Sequence, residues 1–212
     1  IVFSVLYVSS ASAELGVNVG VSGQAGLFAA SASEKITNGQ TNNGTEHGSA
    51  GWASIFIEKS IGDVIFVGYD YVPGALETDT SETSKSDMRT DASNAVNTGV
   101  NKIQIDFENL NTMYLGANIG EHFYAKAGLM KVDVTTNEKL ATGGAYGNTD
   151  LDGTMFAVGF NHSTDTGLFV RVEGSYMQFD GATLVNSNSS DVSITLKNLD
   201  GVAGKISLGK SF

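Results

Sequence analysis

From Leu15 onward, apolar and polar residues alternate along the chain with a period of two. Such alternation gives an extended strand two unlike faces. Leu15, Val17, Val19 and Val21 share one parity, against Gly16, Asn18, Gly20 and Ser22. Ala53, Ile55 and Ile57 form the next apolar row, with Ser54 and Glu58 opposed. After a short turn at Ser60-Ile61-Gly62-Asp63, Ile65, Val67, Tyr69 and Tyr71 alternate with Gly68 and Asp70. A fourth strand is read as a single parity of Ile103, Ile105, Phe107, Met113, Leu115, Ala117 and Ile119. Lys102, Asp106, Glu108, Thr112 and Gly116 take its other face. Four further strands follow, apolar at Phe123 to Leu129, Phe156 to Phe160, Leu168 to Tyr176 and Val202 to Phe212.

This predicts eight strands joined by three short turns and four long connections, at 34–47, 74–99, 137–150 and 184–191. The long connections are rich in Asn, Thr, Ser, Gly, Asp and Glu, a loop composition. Short and long connections alternate, as they do in transmembrane barrels with short periplasmic turns and longer outside loops. The expected fold is all-β: a closed, antiparallel, eight-stranded up-and-down transmembrane barrel with four extracellular loops and both termini periplasmic. The segment from Val100 to Ile119, 20 residues, is longer than the roughly 9–11 residues a spanning strand needs. Its surplus is expected to project outward, offering edges for β-augmentation.

Alternation alone does not say which face meets lipid. Glycines favour the polar parity, at Gly20, Gly68, Gly116, Gly128, Gly159 and Gly209. Small residues there make room inside a narrow barrel. Tyr69, Tyr71, Phe107, Phe123, Tyr176 and Phe212 favour the apolar parity, as in an interfacial aromatic girdle. Both features assign the apolar face to lipid.

The polar parity carries Glu58, Asp70, Asp106, Lys126, Arg171, Glu173 and Lys205. In a side-chain-filled lumen these charges must pair, because an isolated buried charge is costly. A structural plug is the expected outcome, with a gate for small ions as the alternative.

The first thirteen residues differ from the rest. Ile1 to Val8 is mostly apolar, and Ala11-Ser12-Ala13 fits a small-residue cleavage site. The expected organisation is an export-signal remnant at 1–13 and a barrel domain at 14–212.

Composition narrows the function. The chain has 212 residues, no cysteine, one proline and a formal charge of −11. An acidic chain is a poor partner for nucleic acid. The four long connections hold ten acids against four bases, which suits solvated loops or cation bridging to lipopolysaccharide. His47, His122 and His162 lie far apart in sequence, so no metal ligand pair is read from them. His47 with Ser81, Ser84 or Ser86 has the residue types of a lipid-modifying enzyme and nothing more. No cofactor site and no enzyme are expected.

Tyr114-Leu115-Gly116-Ala117-Asn118, Phe123-Tyr124-Ala125-Lys126-Ala127-Gly128, Gly167 to Gly174 and the ending Gly209-Lys210-Ser211-Phe212 resemble a known pattern. It is that of small outer-membrane barrels of the OmpA/OmpX and Opa-like superfamily, nearest to single-domain alphaproteobacterial barrels. The resemblance implies an outer-membrane location, contact with membrane lipid and lipopolysaccharide, and a structural or adhesion-like role. It also implies that Phe212, closing an alternating strand, is read by the barrel-assembly machinery. A narrow porin-like channel is the alternative role.

Overall fold

The computed structural model describes residues 16–35, 39–88, 96–140 and 144–212, with backbone alone for 83–88 and 96–99. The expected export segment lies outside the described residues. Eleven strands form one antiparallel sheet: β1 (Val17–Lys35), β2 (Thr41–Ile61), β3 (Ile65–Tyr71), β4 (Leu76–Glu77), β5 (Ser81–Met88), β6 (Val96–Ile119), β7 (Phe123–Lys139), β8 (Thr149–Ser163), β9 (Leu168–Phe179), β10 (Ala182–Asn186) and β11 (Ser189–Ser211). Eight of them, β1, β2, β3, β6, β7, β8, β9 and β11, bond side by side in an up-and-down ring. β11 closes it on β1, from Asn18 opposite Ser211 to Lys35 opposite Ser193. Where the ring strands pair on both sides, closure satisfies their backbone groups without water, the condition for a sheet to cross lipid.

One end of the ring is built from tight turns. Gly62 and Gly120 hold φ of 67° and 69° there, a left-handed conformation that suits a residue without Cβ. At the other end the hairpins run on. β4 and β5 pair with the outer part of β6, and β10 with the outer part of β11.

Among the described residues, the stretches 34–47, 74–99 and 184–191, read as long loops, are therefore largely strand, whereas 140 and 144–148 within 137–150 are not. β1 and β2 pair up to Lys35 opposite Thr41, and β7 runs to Lys139. Alternation fails there for a physical reason. Residues 41–49 are exposed on both faces, so neither face selects apolar side chains.

Across the ring itself, parity sorts the side chains cleanly. Ile55, Ile57, Met113, Leu115, Leu129, Phe156, Val158, Val172, Val202 and Ile206 point outward and are exposed, forming an apolar belt. Their neighbours in sequence, such as Phe56, Tyr114, Ala157, Glu173 and Lys205, are buried inside. A water-soluble barrel would show the reverse.

The fourth ring strand departs from the sequence reading. Between Glu108 and Asn111, β6 has two residues where β7 has one, and Asn109 adopts φ of 53°. This β-bulge reverses the faces beyond it. Phe107 lies opposite Val134 and Ile105 opposite Thr136, and both pack against the interior core. Met113 and Leu115, on the near side, face outward. Phe107 is thus no part of an outer girdle, and Ile103 to Ile119 is not one face.

Candidate functional site

The interior has two layers. Toward the turn end lies a set of charges, and toward the hairpins an apolar plug.

Glu58 of β2 and Arg171 of β9 meet across the lumen. Arg171 Nη1 donates to both carboxylate oxygens of Glu58, at 2.6 and 2.7 Å. Tyr114 Oη donates to Glu58 at 3.0 Å and Asn18 Nδ2 at 3.2 Å, while Arg171 Nε donates to Asn161 Oδ1 at 3.1 Å. The guanidinium also stands 4.5 Å from the Phe169 ring centre and 5.3 Å from that of Tyr124. Lys126 pairs with Glu173 at 2.7 Å, and Tyr124 Oη donates to the same oxygen at 2.8 Å. Lys126 Nζ lies 4.4 Å from the Tyr114 ring centre. Lys205 pairs with Asp70. All six charged side chains are buried or nearly so, and each of the three acids has one base. Such matching offsets the desolvation that burial imposes. Serines extend the polar layer, with Ser22 and Ser54 hydroxyls 2.6 Å apart.

Asp106 stands apart from this set. The bulge at Asn109 turns it to the outside, where its Oδ2 accepts from Asn137 Nδ2 at 2.6 Å. It belongs to a polar outer rim above the apolar belt. Asn109 donates to Asp133 at 2.9 Å, Thr135 to Glu108 at 3.2 Å and Lys131 to Asp150 at 2.7 Å. The hydrogen bond from Lys131 holds the exposed Asp150 carboxyl below its usual range and raises the Lys131 ammonium.

Sequence reasoning missed the aromatic residues of the lumen. Tyr114, Tyr124, Phe56, Phe66 and Phe169 point inward on the polar parity, and each lies directly opposite a glycine on the next strand. The pairs are Gly68–Tyr114, Gly116–Phe66, Gly20–Phe56, Gly159–Tyr124 and Gly209–Phe169. A Cβ on any of these glycines would overlap the ring opposite. The glycines do make room inside, and what fills it is aromatic. The signal was present as a glycine facing an aromatic, but only the register reveals it.

Above the charges, Trp52, Val72, Leu110, Met130, Met155 and Met177 begin the apolar plug, which continues through Val132, Leu151, Phe179 and Leu199. Between the two layers is a cavity of about 20 Å³, bordered by Gln24, Thr112, Tyr114, Lys126 and Glu173. That is space for roughly one water molecule. Such packing holds charges in place and leaves little room for a solute.

Two histidines far apart in sequence are brought together by the fold. His122, in the turn before β7, and His162 on β8 have ring centres 6.2 Å apart, beside Phe160. Antiparallel pairing of β7 with β8 brings them together across forty residues. Among the described residues no group of three metal-ligating side chains occurs. His47 makes no hydrogen bond to Ser81 among the described residues, and the side chains of Ser84 and Ser86 lie outside them. Phe212 exchanges backbone hydrogen bonds with Val17, at 2.9 and 3.2 Å.

No known family profile matches the chain, and no curated protein matches it in sequence. Solved structures do resemble it. The outer membrane protein OprG from Pseudomonas aeruginosa aligns with a TM-score of 0.53 at 15% identity, covering 91% of this chain and 96% of that one. The outer membrane protease OmpT from Escherichia coli aligns with a TM-score of 0.50 at 10% identity, covering 96% and 99%. At such identity the likeness concerns the fold, and the fold is that of outer-membrane β-barrels.

Proposed function

We propose that this chain is an integral outer-membrane protein with a plugged lumen, whose work is done by the hairpins that project outside the cell. The observation that carries this reading is the filled interior: three matched ion pairs under an apolar plug, with space for about one water between them. Eight-stranded interiors are just wide enough for side chains to fill them. The exposed apolar belt supports membrane insertion. Tight turns at one end and long hairpins at the other support periplasmic termini. The outer polar rim of Lys131, Asp133 and Asp150 lies where lipopolysaccharide head groups would meet the wall. β11, with Phe212 beside Val17, is the strand on which the assembly machinery would act. The role is structural or adhesive, without catalysis.

Two measurements test this. Fractionation should recover the chain from membranes only with detergent, and its gel migration should change on heating. Purified protein in planar bilayers should give no steady single-channel openings. Openings that shift when Arg171 or Glu173 is neutralised would instead assign a narrow channel.

A further inference from the structure

The turn end of the ring carries two exposed imidazoles side by side, His122 and His162, with ring centres 6.2 Å apart. Neither takes part in the ion pairs of the lumen or of the outer rim.

The backbone beneath them is fixed. β7 and β8 pair from Phe123 opposite Phe160, and one step further Asn161 N–H donates to His122 O at 2.6 Å. That bond holds the His122 main chain beside β8, just past the end of β7. Asn161 points into the lumen, where its Oδ1 accepts from Arg171 Nε at 3.1 Å. The next residue, His162, is thereby sent to the outer face with Phe160. The Phe160 ring centre lies 5.3 Å from that of His122 and 5.5 Å from that of Phe123, edge-on to the latter. This packing restricts where the His122 ring can turn.

Two imidazoles on neighbouring strands are a pair of borderline nitrogen donors. They suit Zn2+, Ni2+ and Cu2+, whereas Mg2+ and Ca2+ take oxygen. With metal–nitrogen bonds of about 2.0–2.1 Å, two imidazoles on one tetrahedral ion set their ring centres about 5 Å apart. The observed 6.2 Å is about 1 Å wider, a gap that small rotations of two exposed side chains close. The local charge favours a cation. Glu121 adjoins His122, Asp165 lies three residues beyond His162, and neither turn, at 120–122 or 164–167, holds Lys or Arg. Among the described residues no third ligand joins the pair, which leaves the remaining positions to water.

We propose that His122 and His162 chelate one divalent ion of the Zn2+, Ni2+ and Cu2+ class, and so clasp the turn before β7 to the end of β8. The site lies at the end of the barrel opposite the projecting hairpins. It is independent of what those hairpins do and of whether the lumen conducts.

The probe is Zn2+ alone, titrated calorimetrically into the full chain, without a histidine tag, in detergent micelles. One ion per chain is expected. His122→Ala or His162→Ala should weaken binding by about tenfold or more. The double variant should bind no more weakly than either single one, because one imidazole is no chelate. His47→Ala, out on β2, should change nothing. Without metal every variant should keep the wild-type urea midpoint, since the side chains are exposed. Zn2+ should raise that midpoint in the wild type and not in the double variant, because only the folded chain brings the rings together. Binding of wild-type strength in the double variant would put the metal elsewhere and overturn the proposal. Equal binding of Mg2+ would assign the ion to the acids of the turns, and two weak sites, each lost with its own histidine, would mean that the rings share no ion. Either result overturns it too. A wild-type chain that ignores Zn2+ would leave the imidazoles as plain members of an aromatic rim, with no clasp.

Discussion

Arg171 and Glu58 are 113 positions apart and three strands apart around the ring, yet one guanidinium nitrogen reaches both oxygens of the carboxylate across the lumen. The pair therefore ties β9 to β2 through the interior, independently of the ladder that joins them around the wall. Removing one partner leaves a buried charge with no counter-ion. Arg171→Met should cost about 3–5 kcal/mol of stability. Glu58→Gln combined with Arg171→Met should recover most of that loss, because no unpaired charge remains. Urea unfolding in phospholipid vesicles measures both, with the single, buried Trp52 as the fluorescent reporter. A wild-type midpoint for Arg171→Met would mean that the pair contributes nothing net.

The facing glycines and aromatics predict a sharp contrast between two classes of Gly→Ala variant. At Gly116 a Cβ would run into the Phe66 ring, and at Gly68 into Tyr114. Either substitution should cost about 1–3 kcal/mol as overpacking. Phe66→Leu should relieve Gly116→Ala. At Gly174 and Gly204, by contrast, an added Cβ meets nothing within 4 Å. Alanine there should leave the unfolding midpoint unchanged or slightly raised. Similar losses at Gly174 and Gly116 would contradict the packing described for the lumen.

Lipid contact on the outer face has its own test. Phe156 and Leu129 are 62% and 70% exposed, in the apolar belt. Phe156→Arg should destabilise the barrel in vesicles by about 2–4 kcal/mol, the cost of a charge at the bilayer middle. Thr135→Arg, on the polar rim, should cost close to nothing. If arginine is equally harmless at both sites, the belt does not face lipid.

Much of the ring was legible in the sequence because lipid and lumen impose opposite demands on alternate residues. Glu58, Asp70, Lys126, Arg171, Glu173 and Lys205 sit on stretches near the turn end where that alternation is unbroken, so parity alone places them inside. Asp106 and Phe107 were misplaced because one extra residue on β6 reverses parity, and nothing in the local composition marks it beyond an Asn. The projecting hairpins read as loops because water on both faces removes the alternation. Tyr114 and Tyr124 were hidden for another reason. An aromatic residue on the polar parity looks like noise until register sets a glycine opposite it. His122 and His162 are likewise neighbours only across a ladder.

The bulge itself yields the most discriminating prediction. Glu108 and Asn109 both face outward, with Asn109 accepting from Tyr71 at 3.1 Å and donating to Asp133, while Leu110 turns into the plug. Deleting Asn109 would leave Phe107 inside, Glu108 outside and Leu110 inside, a regular ladder against Val134, Asp133 and Val132. The chain should therefore tolerate the loss of a residue in mid-strand, giving up three exposed hydrogen bonds, the third accepted by Asn109 O from Asn111 Nδ2 at 2.9 Å. Deleting Leu110 instead would pull Asn109 into the apolar plug in its place. That should cost about 2–5 kcal/mol, as for removal of a large core side chain. Asn109→Val, which keeps the length but puts a β-branched residue at positive φ, should cost about 1–2 kcal/mol. Urea midpoints for the three variants order them, with the Asn109 deletion nearest wild type. If that deletion unfolds the barrel while the Leu110 deletion does not, the face reversal at Asn109 is wrong. Asp106 would then return to the lumen.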